Sequence, residues 1–465
     1  MAAQPQTVPT TSANATSPSA PTRSTDATLS PDSTRAVTTD GEFDLSIDGS
    51  LAGTPHAPKR TRPVNNRLSV VTTERTHRPK ASGKPDPAAH LSAEEIEAIG
   101  AELDALRQEV LASRGATDAA YIRKVLAWQR GLEMGSRAVL LLSLFPPAWV
   151  LGTAGLSVAK ILENMELGHN IMHGQWDWMR DPRIHSQEWE WDNATPSEYW
   201  KRSHNQVHHT FTNVIGRDND LGYGIMRVDE DQKWVPLYLV QPLANAVNMV
   251  LFEYGIAVYD LEIGAYLTGR GKDKDTFRSE ARKVLGKIGT QARRDYLLHP
   301  LLSGPSFLPT MGANAVANIV RNVWTHSVIM CGHFPEGVET FAKASIEGET
   351  RGEWYLRQML GSANISGSKA LHLMTGNLSH QIEHHLFPDL PSNRYAEIAP
   401  QIQDLCQRYG LTYTTGSLPA QVFSAWKQVV TLALPNPQEG RSRVGIALEA
   451  IRKSRARKKR PVKVA

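Results

Sequence analysis

Cysteine is scarce in this sequence, with only Cys331 and Cys406 among 465 residues. Two thiols cannot supply the four cysteine ligands of an iron–sulfur cluster, and they exclude a disulfide framework within the chain. Any electrons that a redox reaction needs must therefore come from another protein. A large excess of charge is also lacking. The net charge is only +4, which gives no indication of binding to nucleic acid.

Two further features are missing near the start of the chain. No basic start is followed by an apolar run, so we expect no secretory signal. Aromatic and periodic apolar residues are almost absent from residues 1–90, which are rich in Ser, Thr, Pro and Ala. Such a segment buries too little surface to offset its ordering entropy, and we predict a disordered tail. Order is predicted from Leu91, because Ser92 and Glu95 form a capping box at the start of a helix.

A basic segment lies near the other end of the sequence. Arg452–Lys463 contains eight Lys or Arg residues and no acidic residue. We predict that residues 436–465 form a basic tail that contacts anionic lipid, where each cation contributes about 1 kcal/mol.

Three apolar blocks lie between these tails, at Ala138–Ala159, Trp234–Ala257 and Tyr296–Val320. The first has no charge across 22 residues, which is long enough to span a bilayer, although Pro146 and Pro147 must break or kink it. Each block alone is compatible with a core helix of a soluble enzyme. Together the three blocks favour insertion into the membrane, and we predict an all-α integral protein of the cell membrane.

Histidine is concentrated in three short stretches, which read GHNIMHG, HNQVHH and HQIEHH. A single stretch of this kind could be a polar surface helix that happens to be rich in histidine, but the recurrence argues against that interpretation. Half of the 16 histidines lie in these stretches: His169, His173, His204, His208, His209, His380, His384 and His385.

The spacing within the stretches indicates metal binding. On a helix His380 and His384 share a face, whereas His385 is turned by about 100°. Neutral imidazole is the commonest metal ligand among side chains, and a tetrahedral ion needs only four ligands. Eight imidazoles exceed the needs of one ion, so the pattern predicts two metal ions. If the apolar blocks enter and leave on the same side, all three stretches gather on one polar face.

The three stretches resemble the histidine boxes of membrane fatty-acid desaturases, which have the forms HxxxH, HxxHH and (H/Q)xxHH. The resemblance covers residues 124–435 and is closest to the acyl-CoA desaturases of actinobacteria. It implies a desaturase domain over residues 91–435. In that domain membrane helices would support a cytosolic helical cap, and the cap would hold a di-iron site on the cytoplasmic face.

The activity that this resemblance implies is O₂-dependent insertion of a cis double bond into a long-chain acyl substrate. The substrate would be an acyl-CoA or an acyl lipid, as in stearoyl-CoA 9-desaturases or front-end, linoleoyl-CoA-type enzymes. Two Fe ions and O₂ would carry out the oxidation. The chain lacks the HPGG haem motif of fused cytochrome b5 domains. A ferredoxin or flavoprotein NADPH reductase is therefore the implied electron donor.

The resemblance also implies a set of site residues. In the family register Gln381 would occupy the first position of the third box and His380 would be an extra imidazole. The spacing of His380 copies that of the second box, however, so both remain candidate ligands. Asn322 and His326 match a similar pair in the family, which suggests a water-holding amide and a ligand, whereas we expect His333 to be a packing residue. The implied metal ligands are His169, His173, His204, His208, His209, His326, His380, Gln381, His384 and His385.

Other side chains near the boxes suggest supporting roles. Asp218 and Asp220 follow the second box and could orient its imidazoles, although a surface turn is an equal alternative. Tryptophan favours membrane interfaces, where one edge of the ring is wet. A substrate mouth is therefore predicted at Trp176, Trp178, Trp189 and Trp191.

Two other kinds of protein are compatible with the histidine pattern. A membrane di-iron fatty acid or alkane hydroxylase would use the same boxes and oxidant, but it would form an alcohol instead of an alkene. A metal transporter would need its ligands within the membrane spans, whereas these histidines lie at or beyond the ends of the apolar blocks. A desaturase is the function that the sequence favours.

Overall fold

The computed structural model describes residues 86–458 apart from positions 219 and 270, and it gives no side-chain description for residues 454–458. The predicted disordered tail lies outside the described residues up to position 85. The described chain is mostly helical, with one pair of short strands. The α-helices are α1 (Ala93–Ser113), α2 (Ala116–Leu140), α3 (Pro146–Leu162), α4 (Asn170–Met172), α5 (Ser197–Trp200), α6 (Gln241–Val250), α7 (Phe252–Asp260), α8 (Ile263–Leu267), α9 (Lys274–Arg293), α10 (His299–Leu302), α11 (Phe307–His333), α12 (Arg351–Leu360), α13 (Lys369–Met374), α14 (Gln381–Leu386), α15 (Tyr395–Arg408), α16 (Leu418–Leu432) and α17 (Arg443–Lys458).

Three segments of π-helix interrupt or extend these α-helices, at Glu163–His169, Lys201–His208 and Arg294–Leu298. The first runs on directly from α3 and the second from α5. A π-helix closes its hydrogen bonds over one more residue than an α-helix, and such turns are frequently found at functional sites. Two of the three segments here contain part of a predicted histidine box, with His169 in the first and His204 and His208 in the second.

The predicted capping box at the start of α1 is confirmed. The Glu95 amide donates to Oγ of Ser92 at 3.2 Å, and the Ser92 amide donates to Oε2 of Glu95 at 2.7 Å. The apolar side of α1 is buried against α12, α14 and α15 in one hydrophobic core. This core lies directly behind the third histidine stretch and holds α14 in place.

The two strands, β1 (Asn364–Ser366) and β2 (Thr415–Ser417), pair in parallel, with Asn364 opposite Thr415. Asn364 also contacts α14, because its Oδ1 accepts from the Ile382 amide at 2.9 Å and its Nδ2 donates to Glu383 at 2.8 Å. The small sheet therefore sets the start of the helix that carries His384 and His385.

The prediction of an integral membrane protein is wrong for the described residues, because none of their helices is both long enough and apolar enough to cross a bilayer. Proline is one physical reason. Pro146 begins α3 after a turn, so the first apolar block is divided between α2 and α3. The second block is divided at Leu251, and only α11 in the third block is long. Buried polar residues, among them Arg321, lie within α11.

Candidate metal centre

The second histidine box owes its geometry to the π-helix in which it lies. The His209 amide donates to the His204 carbonyl at 3.1 Å, a hydrogen bond that spans five residues. The longer turn brings His204 next to both residues of the doubled histidine. The centroid of its ring lies 4.9 Å from that of His208 and 4.9 Å from that of His209. All three imidazoles therefore face one region, instead of diverging as they would on an α-helix.

One group of imidazoles, here called cluster A, consists of His169, His173, His204 and His384. Their candidate ligand nitrogens all lie within 4.8 Å of one another. The cluster joins all three boxes, since the ring of His173 lies 5.2 Å from that of His204 and 4.8 Å from that of His384. His169 and His384 are buried, and the other two are partly buried.

A second group, cluster B, consists of His208, His333 and His385, which are all buried and also fall within 4.8 Å. The Nε2 atoms of His333 and His385 lie 3.2 Å apart. Two nitrogens bound to the same ion at about 2.1 Å and at a right angle would be separated by about 3 Å. Nε2 of Gln381 lies 3.0 Å from Nε2 of His333, so the glutamine of the third box borders this cluster.

His209 lies between the two clusters. Its ring is 4.7 Å from that of His173 in cluster A and 4.5 Å from that of His385 in cluster B. Neither ring nitrogen has a hydrogen-bond partner among the described residues, although both are buried. Buried polar atoms are normally paired. Two unpaired nitrogens at this position therefore indicate a ligand that this imidazole would bind.

Carboxylates orient two of the imidazoles. Nδ1 of His208 lies 3.0 Å from both oxygens of Asp218, and Nδ1 of His204 lies 2.9 Å from Oδ2 of Asp220. An ionised Asp218 carboxylate only accepts hydrogen bonds, so Nδ1 of His208 carries a proton. The lone pair of neutral His208 is then on Nε2. Burial raises the pKa of Asp220 to about 7, so the proton shared with Nδ1 of His204 is not assigned to the ring in the same way. Nε2 of His204 is buried without a partner in the described part of the chain.

Neutral groups orient three more of the imidazoles. Nδ1 of His169 lies 3.0 Å from Oδ1 of Asn170, and Nδ1 of His385 lies 3.2 Å from Oε1 of Gln358. Nδ1 of His384 lies 3.2 Å from the hydroxyl of Tyr395. A partner on Nδ1 fixes the ring and directs Nε2 into the centre, which is the usual arrangement around a metal-binding histidine.

Burial keeps most of these imidazoles neutral. It is the main cause that lowers the pKa of His169 to about 4 and of His333 to about 3. His208 is the exception. Burial also acts to lower its pKa, but the Asp218 carboxylate outweighs this effect and raises it. Neutral imidazole is the form that binds metal. The converging, unpartnered nitrogens therefore fit metal ions.

Two of the predicted ligands, His326 and His380, lie away from both clusters. Nε2 of His326 lies 3.0 Å from Oδ1 of Asn245, and its ring packs on Phe252. His380 lies beside His372, with ring centroids 4.7 Å apart. Both lie outside the histidine groups that the described residues form.

His333 belongs to cluster B, although we expected it to be a packing residue. It lies at the end of α11, seven residues after His326. That interval is about two helical turns, so the two residues share roughly one side of α11. We expected His326, not His333, to be the ligand. Spacing along one helix does not show which of two residues on one side reaches the site.

One cavity lies against both clusters. Histidines of cluster A and cluster B form part of its wall, and Asp220 and Gln381 also line it. Most of the remaining wall is apolar or aromatic, with contributions from Met165, Trp191, Trp200, Tyr223, Phe252, Ile256, Ile329, Phe334 and Leu378.

The predicted tryptophan mouth is divided between two places. Trp191 lines the cavity, together with Trp200, which the sequence did not single out and whose ring stacks on His204 at 4.3 Å. Trp176 and Trp189 do not line the cavity, although they are buried in the same hydrophobic core as Trp191 and Trp200. Trp178 donates from Nε1 to the Gln175 carbonyl at 3.1 Å.

The fold and the site define a helical protein with a candidate metal centre of two histidine clusters beside an apolar cavity. The fatty acid desaturase family matches residues 143–417, a range that contains all the histidines of both clusters. The chain is 49% identical over 355 residues to an NADPH-dependent stearoyl-CoA 9-desaturase of Mycobacterium tuberculosis, a match that covers 76% of this chain and 83% of the relative.

More distant relatives are also desaturases. An sn-1 linoleoyl-lipid 6-desaturase of Synechocystis is 24% identical over 57% of this chain and 75% of its own length. Human fatty acid desaturase 3 is 29% identical over 23% of this chain and 24% of its own length. The chain belongs to the fatty acid desaturase family. It is therefore an oxidoreductase of lipid metabolism that desaturates fatty acyl chains, and the resemblance inferred from the three boxes is confirmed.

Proposed function

We propose that the chain is an acyl-CoA desaturase that introduces a cis double bond into stearoyl-CoA or a similar long-chain acyl-CoA. The observation that carries this proposal is a cavity whose wall combines apolar side chains with histidines of both clusters. Such a wall suits an unactivated hydrocarbon chain held beside metal ions. The name of the mycobacterial relative, a stearoyl-CoA 9-desaturase, supports the choice of a CoA thioester.

Two iron ions are the proposed cofactors, one in each cluster. His209 lies where it could bind either ion, or lie between the two. Bound iron supplies the oxidant that, with O₂, removes two hydrogens from neighbouring methylene groups. The remaining candidate ligands are the members of cluster A (His169, His173, His204 and His384) and of cluster B (His208, His333 and His385).

The chain's own side chains provide orientation and exclude water. The partners on Nδ1 hold the imidazoles so that Nε2 faces the centre, as Asp218 does for His208. The aromatic rings of Trp191, Trp200 and Phe252 shield the reacting segment of the acyl chain from water. A fixed acyl chain places one pair of carbons beside the ions, which is how positioning contributes to catalysis.

The electrons come from a separate donor under this proposal. The two cysteines are both buried and lie apart from each other in different hydrophobic cores, so they form no redox pair. NADPH-dependence in the name of the mycobacterial relative supports a flavoprotein or ferredoxin reductase as the donor. A hydroxylase would also suit the histidine clusters, but the desaturase relatives do not favour it.

The test is product analysis with purified, iron-loaded chain, labelled stearoyl-CoA and O₂. With NADPH and a reductase we expect an alkene whose double bond is located by mass spectrometry, whereas NADPH without the reductase should give no product. His384→Ala should abolish turnover, and His185→Ala, which changes a histidine outside both clusters, should not. An alcohol as the only product, or full turnover without a reductase, would contradict the proposal.

A further inference from the structure

Helix α7 forms one side of the cavity. Phe252, Ile256, Tyr259 and Asp260 recur at the spacing of one helical face, and all four line the cavity. Phe252 is buried, and its ring lies 5.6 Å from that of Tyr223 in an edge-to-face arrangement. Phe252 and Tyr223 are here called the aromatic wall of the cavity. The position of α7 therefore determines where this aromatic wall lies relative to the histidine clusters.

Polar contacts from α11, with one from Gln291 on α9, hold α7 at its first turn. The helical structure is interrupted at Leu251, between α6 and α7. The Val250 carbonyl accepts a hydrogen bond from Nδ2 of Asn322 at 3.0 Å. Glu253 forms a buried ion pair with Arg321 and accepts from Gln291 at 2.8 Å. Hydrogen bonds have preferred directions, so they fix the register between two helices more closely than apolar contacts do.

His326 adds a second point of attachment one turn further along α11. Its Nε2 lies 3.0 Å from Oδ1 of Asn245 on α6, and both side chains are fully buried. The imidazole also packs behind the aromatic wall, because its ring contacts that of Phe252 edge to face with the centroids 5.3 Å apart. His326 and Asn322 thus contact α6 and the start of α7, not the histidine clusters.

The same helix carries a member of cluster B. Thr325, Ile329 and His333 lie on the cavity side of α11, and His333 ends the helix. Seven residues separate His326 from His333, which is about 10 Å along an α-helix. Helix α11 therefore connects His326, which packs against the aromatic wall, to His333 in cluster B.

We propose that His326 and Asn322 are positioning residues that decide which carbons of the acyl chain react. They do so by holding the α7 wall, and Phe252 in particular, at a set distance from the histidine clusters. This inference rests on the proposed function, since it assumes that the cavity holds the acyl chain. The residues act through α7 and do not touch the substrate.

The test compares two substitutions at position 326 in the full chain, each loaded with iron and assayed with a reductase and labelled stearoyl-CoA. His326→Leu removes the polar contact with Asn245, whereas the amide of His326→Gln restores a donor. We expect the fraction of minor double-bond positions to rise at least about fivefold in the leucine variant and to return towards wild type in the glutamine variant. Both variants should retain the iron content of the wild type. Ile319→Val changes an exposed side chain on the same helix and should leave the products unchanged.

The proposal is overturned if folded, iron-loaded His326→Leu gives the wild-type product pattern. It is also overturned if both variants lose iron, because His326 would then be a ligand. If His326→Leu does not fold, Phe252→Leu is the substitute test. A changed double-bond position in Phe252→Leu would support the proposal. An unchanged position would show that the aromatic wall does not select the reacting carbons. Absence of any alkene from the wild type would instead refute the proposed function, which is a distinct result.

Discussion

At the scale of single residues, the metal centre depends on which ring nitrogen of each imidazole has a hydrogen-bond partner and which is left for a metal ion. Asp218 and Asp220 bind Nδ1 of His208 and His204, which leaves Nε2 of each ring for a ligand. His209 has a hydrogen-bond partner on neither nitrogen within the described residues. Bringing so many acceptor lone pairs together in a buried site is unfavourable unless cations lie between them.

His333 and His380 provide a matched pair at this scale. His333→Ala should lower the iron content by about one ion per chain and nearly abolish turnover, because His333 is one of three histidines in cluster B. His380→Ala should retain both ions, because this ring lies against His372 outside the clusters. Elemental analysis of the two variants measures the difference. Loss of iron from His380→Ala alone would reverse the assignment.

At the scale of elements, the histidines are brought together by helices that other parts of the chain support. Helix α14 lies between a hydrophobic core and the β1–β2 pair. The π-helical turns at Glu163–His169 and Lys201–His208 direct the first two boxes inwards. The start of α2 is joined to α15 by a charged pair, because Arg394 donates to both oxygens of Asp118 at 2.7 and 2.9 Å.

Substitution of Asp118 tests how much the ion pair with Arg394 contributes to the free energy of unfolding. Its carboxylate is fully buried, and removing one partner of a buried ion pair typically costs about 3–5 kcal/mol of unfolding free energy. Asp118→Ala should cost about 1–3 kcal/mol, less than that range, because Arg394 is partly exposed and keeps its pair with Glu397. Glu102→Ala removes an exposed pair with Arg408 and should cost about 0–1 kcal/mol. Denaturant unfolding of both variants compares them, and equal losses would contradict the prediction.

The same ion pair has a predicted pH dependence. Burial acts to raise the pKa of Asp118, but hydrogen bonds from Arg394 and Asn393 outweigh it and lower the pKa. A lowered pKa means that the stabilisation is complete above the ordinary carboxyl value of about 4 and is lost as the pH falls through the folded value. Between wild type and Asp118→Ala, the difference in unfolding free energy should therefore shrink in acid. A difference that grew below about pH 4 would contradict this sign.

At the scale of the whole molecule, the metal ions are expected to contribute to stability. Ions that bind only the folded chain stabilise it by about 2.7 kcal/mol each at a free concentration of 100 times Kd. The two clusters predict two irons per active chain. Chelation should lower the unfolding temperature and abolish turnover, and added Fe²⁺ should restore both. One zinc and no iron in active protein would contradict the di-iron assignment.

Zinc offers a control for this experiment. Zinc also binds imidazole but has no redox chemistry, so it should restore the unfolding temperature without restoring turnover. Recovery of desaturation with zinc alone would show that the reaction does not depend on a redox-active ion.

The sequence by itself determined the family, the helical character and most of the histidine centre. Seven histidines of the three boxes lie in or between clusters A and B, because residues close along a helix stay close in space. The capping box of α1 was also predictable, since Ser92 and Glu95 interact across only three residues.

The tertiary structure decided the features that depend on how helices rotate against one another. Spacing places His326 and His333 on one helix, but only packing against α6 and α14 directs the first to Asn245 and the second to His385. The apolar blocks predicted membrane spans, yet turns and prolines divide two of them, and buried polar residues interrupt the third. A sequence pattern fixes the direction of a side chain relative to its own helix. The packing of neighbouring helices determines which residues that side chain contacts.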